Sequence, residues 1–260
     1  MVISTKTTLD PVAARTISPT AVVVLLAWIA AGAALAVSEP LRGPATFAFV
    51  LVGWVLSVMA HEFGHAFVAF KAGDHTVAAK GYLTLDPLKY MDSVTSLIIP
   101  LIVLAIGGIG FPGGAVYLRP DLMRGRLWRS AASLAGPAAT LLALVALGLA
   151  AGAARTFSPS TALPNALALL AFLQATALVL NLLPIPGLDG YGALRPFLPG
   201  GVTRGLRRLE GGIFIGFVLV LLSSNQLSRE LFGLGTGLTA ALGVPLDAIG
   251  GGYDAFRFWK

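Results

Sequence analysis

The sequence predicts an all-α polytopic membrane protein, and three observations lead to that prediction. Of its 260 residues, 56% are hydrophobic and 12% are charged, whereas soluble domains carry roughly 25% charged residues. The mean hydropathy is +0.83. Apolar runs recur at roughly the 20-residue length that a bilayer-spanning helix needs. We therefore expect one membrane-embedded domain over residues 1–260, with a core at about 45–210 and tails at 1–19 and 244–260.

The predicted elements are about five to six transmembrane helices. The first follows a polar tail and is read as a retained span rather than a signal peptide, because further spans follow it. The last is weakly apolar and reads either as a span or as a helix in the membrane interface. The expected spans, in chain order, are 21–37, 44–70, 130–154, 166–183, 211–224 and 226–243.

The polar segments between the spans exclude several classes of function. The net charge is +6, but Lys and Arg fall in short loops between apolar runs, where they set membrane topology. Because basic and aromatic residues do not alternate as on a nucleic-acid surface, no nucleic-acid partner is expected. Cysteine is absent, which excludes disulfides, thiolate metal ligands and a cysteine nucleophile.

Residues 81–85 and 113–118 have β character and are predicted to form short strands.

The chemistry-bearing stretch is His61-Glu62-Phe63-Gly64-His65, at the end of the second apolar run. Positions i and i+4 share one face of a helix, so the imidazoles of His61 and His65 should point the same way. Two histidines at this spacing can hold zinc, and Glu62 is the usual general base of such a site. Ionisable groups within a membrane are costly and indicate function.

A catalytic zinc ion needs a third protein ligand. Asp189 is one candidate, because it ends a run without charge and follows a Pro-Ile-Pro-Gly sequence that would break a helix. Irregular backbone at membrane depth is tolerated only inside protein or beside water. Asn181, at the start of the break, could donate to a substrate carbonyl. The alternatives for the third ligand are His75 and Asp92.

Topology favours Asp189 if residues 93–110 enter the membrane and return on the same side. A full crossing would put Asp189 and the two histidines on opposite faces, and would place the basic loops at 119–129 and 195–208 outside. Pro100 and the Gly107-Gly108 pair suit a re-entrant segment. A full span would instead require His75 or Asp92 as the third ligand.

Four motifs in order give the chain a family resemblance. They read HEFGH (61–65), GYLTLDPLKYMD (81–92), SLAGPAAT (133–140) and NLLPIPGLDG (181–190). This combination resembles the site-2 protease family of intramembrane zinc metalloproteases, most closely its compact bacterial members without PDZ or CBS domains. Where Thr140, Tyr90 and Gly187 stand, family members often have Asn, His and Pro.

The resemblance implies that His61, His65 and Asp189 bind one Zn²⁺ per chain. It also implies that Glu62 is the base and that Asn181 helps to hold substrate. The expected function is hydrolysis of peptide bonds within or near transmembrane segments of membrane proteins or of leftover signal peptides. The expected location is the lipid bilayer of a bacterial cell membrane, as a multi-pass protein with the active site towards the cytoplasm.

The sequence is compatible in part with three other functions. In a cation transporter, His61, Glu62, His65 and Asp189 would form an ion path, but the other spans lack charge. A membrane protease of the CAAX-processing type usually takes a glutamate as third ligand, and neither Glu210 nor Glu230 lies in a suitable helical motif. A catalytically silent scaffold would not need the complete set of ligands and base.

Overall fold

The computed structural model describes residues 17–37, 40–90 and 116–260, and the regular structure in these ranges is helical. Four helices are long and apolar enough to cross a membrane. They are α1 (Pro19–Val37), α2 (Arg42–Ala72), α3 (Arg126–Phe157) and α4 (Leu163–Asn181). The prediction of an all-α membrane protein is confirmed.

Four shorter or more polar helices follow α4: α5 (Asp189–Leu194), α6 (Gly200–Ser223), α7 (Asn225–Ala241) and α8 (Leu246–Phe256). Two four-residue helices, Thr76–Ala79 and Pro87–Tyr90, come after α2. The helices α7 and α8 are long and apolar enough to cross a membrane only when they are taken together, and they meet at a bend of 118°. The described residues therefore hold four spans, or five if the bent pair counts as one. The upper count meets the lower end of the predicted five to six. The expected span at 211–224 is not among the four, because α6 carries Arg207, Arg208 and Glu210 in its first half.

Helix α4 is the centre of the bundle. In its apolar window 78% of the residues are buried, against 11% in α1. The outer helix α1 packs on α2 and exposes Val22, Leu25, Leu26 and Ile29, as expected of a helix in contact with lipid. Helices α2 and α3 pack on each other and on α4. The α2–α3 contact is close because Gly64 has no side chain: a Cβ there would lie 2.6 Å from the carbonyl oxygen of Ala135. Small residues commonly allow such backbone approach between membrane helices.

The predicted strand at 81–85 is wrong. Residues Tyr82–Thr84 form a single 3₁₀ turn. Gly81 before this turn has φ +76° and Leu85 after it has φ +55°, and left-handed backbone at both ends cannot continue an extended strand. Of the second predicted strand, residues 113–115 lie outside the described ranges, and residues 116–118 are not part of a strand.

The predicted re-entrant segment, 93–110, also lies outside the described residues, as does Asp92. The described chain on either side of it meets at one end of the bundle. Helix α2 ends at Ala72, whose carbonyl oxygen accepts a hydrogen bond from the backbone N–H of Arg124 at 3.0 Å. The end of α2 and the start of α3 therefore lie side by side.

Candidate metal centre

The second half of α2 carries the motif at 61–65. The helix continues without interruption to Ala72, where Gly73, at φ +118°, donates its N–H to the final carbonyl groups. His61, Glu62 and His65 are each about 5–6% exposed. Three buried ionisable side chains within two turns are costly unless they are paired or bind a metal.

Helix α3 contacts both imidazoles at their Nδ1 atoms. The Nδ1 atom of His61 lies 2.8 Å from the hydroxyl oxygen of Thr140, and the Nδ1 atom of His65 lies 2.7 Å from the carbonyl oxygen of Ala132. A carbonyl oxygen only accepts, so Nδ1 of His65 carries a proton, and a metal ion would bind at Nε2 in place of a proton on that nitrogen. Both Nε2 atoms point towards Asp189.

Gly136 of α3 leaves room for these rings. A Cβ at this position would lie 2.6 Å from Nε2 of His61 and 2.6 Å from Cε1 of His65, which is closer than non-bonded atoms approach. The imidazoles therefore occupy the volume that any other side chain at position 136 would fill. The following residue, Pro137, lies inside α3 and withholds the backbone N–H that would normally pair with the carbonyl group of Ser133.

Asp189 reaches the histidines because α4 ends at Asn181 and the chain turns back. Gly187 has φ +98° in this turn, a conformation that glycine adopts without strain. The Leu188 N–H then bonds to the Ile185 carbonyl oxygen at 2.9 Å. Asp189 opens α5 directly beside the imidazoles. Gly190 packs so closely on the Leu182 carbonyl oxygen that a side chain would not fit.

The three side chains converge on one point. Nε2 of His61 lies 3.1 Å from Oδ2 of Asp189, Nε2 of His65 lies 3.3 Å from Oδ1, and the two Nε2 atoms are 3.0 Å apart. Burial alone would raise the pKa of Asp189, but attraction and hydrogen bonding to the imidazoles of His65 and His61 lower it below its ordinary value. The carboxylate is therefore present as the anion.

This donor set fits zinc. Zinc accepts two imidazole nitrogens and a carboxylate oxygen at about 2.0–2.2 Å, and in a tetrahedron the ligand atoms are then about 3.3 Å apart. The observed separations of 3.0–3.3 Å are close to that value. Among the described residues, His61, His65 and Asp189 are the group of His and acidic side chains with metal-binding geometry.

A cavity of about 200 Å³ opens beside these three residues. Glu62 and Asn181, both about 5% exposed, contribute polar groups to it. Its apolar side chains are Val116 and Leu118, Leu188, and Phe214 of α6. Ser133 of α3 and Gly187 complete the lining. Convergent polar groups beside apolar side chains in one concavity are typical of a small-molecule or peptide site.

Several residues in the site were not predicted. The backbone N–H of Val116 donates to Oε2 of Glu62 at 3.1 Å. Thr140 and Ala132 hold the imidazoles, and Phe214 lies over Gly187. The SLAGPAAT motif indicated that this part of α3 matters, but not which atoms contact the histidines. No sequence signal marks Val116 or Phe214.

The alternative third ligand His75 lies elsewhere. It is exposed at the end of α2, with its ring 4.9 Å from that of Phe70. Glu210 and Glu230, considered for a CAAX-type protease, lie on α6 and α7 and are not members of the metal-binding group found in the described residues.

Comparison with known proteins decides the family. The chain is 46% identical over 254 residues to "Putative zinc metalloprotease Rip2" of Mycolicibacterium smegmatis, covering 96% of this chain and 94% of that protein. It is 43% identical over 242 residues to the Mycobacterium tuberculosis protein of the same name, covering 93% and 90%. The chain belongs to the site-2 protease family. A more distant relative, "Putative zinc metalloprotease YwhC" of Bacillus subtilis, is 29% identical over 181 residues, covering 67% and 80%.

No family model and no solved structure matches the chain. As a member of the site-2 protease family, the chain is a zinc metalloprotease and a multi-pass membrane protein, with zinc as its metal cofactor. The cation-transporter reading is not favoured, because these relatives are named as proteases.

Proposed function

We propose that this protein is an intramembrane endopeptidase that hydrolyses peptide bonds within or near transmembrane segments of other membrane proteins. The observation that carries the proposal is the convergence of His61, His65 and Asp189 beside Glu62, in a cavity formed by helices long and apolar enough to span a bilayer. The metal ligands come from α2 and from the turn after α4, which meet at one end of the bundle.

In this proposal His61 and His65, through Nε2, and Asp189, through its carboxylate, hold the zinc ion. When bound, zinc supplies Lewis-acid activation of water and of the scissile carbonyl group. The protein fixes the ligand geometry in advance: α3 orients both imidazoles through their Nδ1 atoms, and Gly187 and Gly190 shape the turn that delivers Asp189.

Glu62 is assigned as the general base. Its carboxylate takes a proton from the attacking water and later delivers it to the leaving nitrogen. The N–H of Val116 donates to Oε2 of Glu62, and this bond fixes the orientation of the carboxylate. The side-chain amide of Asn181 lines the same cavity and is assigned to donate to the substrate carbonyl oxygen as negative charge develops there.

The proposed substrates are single-span membrane proteins or leftover signal peptides in the same bilayer. A transmembrane helix hides its peptide bonds in its own hydrogen bonds, so the substrate must unwind locally before it enters the cavity. The apolar lining by Val116, Leu118 and Phe214 suits apolar side chains next to the scissile bond.

The active site is proposed to face the cytoplasm of a bacterial cell. At the site's end of the bundle, α2 finishes at Lys71-Ala72 and α3 begins at Arg126, shortly after Arg124. Loops enriched in Lys and Arg remain on the cytoplasmic side of a membrane. Entry of water from that side would supply the hydrolytic reaction.

The experiment that tests the proposal uses purified protein in lipid vesicles with a single-span reporter whose apolar segment contains a helix-weakening Asn-Gly pair. The wild type should contain about one zinc per chain and release a soluble fragment. Glu62→Gln should keep zinc and lose cleavage. Asp189→Ala should lose both, whereas His75→Ala, an exposed histidine outside the cavity, should keep both. If Glu62→Gln cleaves the reporter at the wild-type rate, Glu62 is not the general base.

A second outcome concerns the ligand set. If zinc content survives Asp189→Ala and falls with His75→Ala, the third ligand is local and Asp189 has no role in the site. Cleavage of only soluble unfolded protein, with no release of the reporter fragment, would contradict the intramembrane proposal while leaving the protease itself intact.

A further inference from the structure

Asp74 is a charged residue whose burial the proposed reaction does not explain. It follows Gly73 immediately after α2 and is 0% exposed. Its Oδ1 accepts hydrogen bonds from the Thr76 N–H at 3.1 Å and from the Thr76 hydroxyl group at 2.6 Å. Its Oδ2 accepts from the backbone N–H of Arg119 at 2.7 Å. A buried carboxylate with three donors is fully satisfied, and one of these donors lies on a distant part of the chain.

Residues 116–119, called here the 116–119 segment, are attached to the α2 region at three points. The N–H of Val116 bonds to Glu62, the carbonyl oxygen of Tyr117 accepts from Nζ of Lys80 at 2.9 Å, and the N–H of Arg119 bonds to Asp74. The segment thus runs beside the last turns of α2, with Glu62 at one end and Asp74 at the other.

The attachment at Asp74 sets the register of the segment. From residue 116 to residue 119 an extended chain covers roughly 10 Å at most. Moving it along α2 by one residue would displace each N–H by about 3.3 Å. The 3.1 Å bond from Val116 to Glu62 would not survive such a shift, because hydrogen bonds require heavy-atom separations near 3 Å.

We propose that Asp74 is a positioning residue for catalysis: by fixing Arg119 it holds the Val116 N–H against the carboxylate of Glu62. This inference rests on the proposed function, in which Glu62 is the general base. The side chain of Asp74 has no hydrogen bond to the metal ligands or to Glu62, so its influence on the base passes through the 116–119 segment. Lys80 assists as a second, exposed attachment.

Asp74→Asn is the informative variant. It keeps the shape of the side chain but has one acceptor oxygen in place of two, so it cannot satisfy both Thr76 and Arg119. In the reporter assay, kcat should fall at least tenfold, with KM and zinc content unchanged. Hydrogen exchange of a peptide covering 116–119, followed by mass spectrometry, should become faster.

Two matched controls separate this role from simple turn stability. Asp121→Asn removes the exposed carboxylate that binds the side chain of the same Arg119, at 2.7 Å and 3.0 Å, and should leave kcat and exchange unchanged. Thr76→Val disturbs the turn at Asp74 but spares the bond to Arg119. It should keep wild-type kcat even if it lowers the thermal midpoint.

A wild-type kcat in Asp74→Asn, or an equal fall in Thr76→Val, would overturn the inference. If Asp74→Asn loses zinc or does not fold, Lys80→Met is measured instead, because it removes the other attachment of the 116–119 segment. A fall in kcat at normal zinc content supports the inference, and an unchanged kcat overturns it. Failure of the proposed function is distinguishable, because it would appear as a wild-type protein without zinc-dependent cleavage or as an active Glu62→Gln variant.

Discussion

The hydroxyl oxygen of Thr140 lies 2.8 Å from Nδ1 of His61, across the contact between α2 and α3. Thr140 is 3% exposed, so the contact is shielded from water. A histidine that binds metal through Nε2 must carry its proton on Nδ1, and the partner of Nδ1 fixes both the tautomer and the ring orientation. Thr140 therefore accepts the hydrogen bond from His61 when the site is loaded.

Removing the hydroxyl group should weaken zinc binding. Thr140→Val leaves Nδ1 of His61 without an acceptor, and loss of such a partner typically lowers metal affinity about 10- to 100-fold. Competition against a zinc chelator measures the effect. Thr140→Ser keeps the oxygen and should bind zinc within a few-fold of the wild type; equal affinity in Thr140→Val would show that the contact does not orient the ring.

Gly136→Ala should prevent zinc binding without unfolding the bundle. The added Cβ would occupy the space of the His61 and His65 rings, and neither ring can retreat while α3 holds its Nδ1 atom. The control is Gly152→Ala on the same helix, where no atom lies within 4 Å of the added group. This control should bind zinc normally and gain up to about 1 kcal/mol of stability. Normal zinc content in Gly136→Ala would mean that the rings can shift.

Gly187→Pro should also abolish zinc binding. Proline fixes φ near −65°, whereas Gly187 has φ +98°, so the turn that delivers Asp189 must change. Gly200→Pro is the matched control, because it lies at the first position of α6, where proline is tolerated. Zinc content and thermal midpoint of both variants test the prediction. A zinc-replete Gly187→Pro protein would show that the turn has a second productive conformation.

Zinc removal should destabilise the wild type and not Asp189→Ala. A ligand that binds only the folded state stabilises it by about 2.7 kcal/mol at a free concentration 100 times Kd. The thermal midpoint should therefore fall when the wild type is treated with a chelator and recover when zinc is restored. Asp189→Ala should show no such difference, and a shift equal to that of the wild type would indicate binding elsewhere.

The spans and the metal-binding group could be predicted from the sequence because both depend on local patterns. Apolar runs define α1 to α4, and i, i+4 spacing places the two histidines together. The third ligand needed a topological argument, since Asp189 is remote in the chain. The strand at 81–85 was predicted from β-forming residues, but the three residues between the left-handed positions at Gly81 and Leu85 are too few to form one.

The contacts that orient the site were beyond sequence analysis. The bonds from His61 to Thr140 and from Val116 to Glu62 depend on how two elements are registered along each other, and a shift of one residue would replace both partners. The sequence Gly73-Asp74 predicts a turn. The bond that the Arg119 N–H donates to Asp74 cannot be predicted in this way, because the two residues are 45 positions apart in the chain.

Asp189 lies beyond α3 and α4 in the order of synthesis, and this has a consequence for a newly made chain. On the proposed ligand set, a ribosome that has released only α1 and α2 into the membrane has produced the histidines and the base but no complete site. Hydrolytic capacity arises only after α4 and the turn at Gly187 have been inserted. Truncated or stalled chains that end before this turn would therefore be unable to hydrolyse neighbouring membrane proteins.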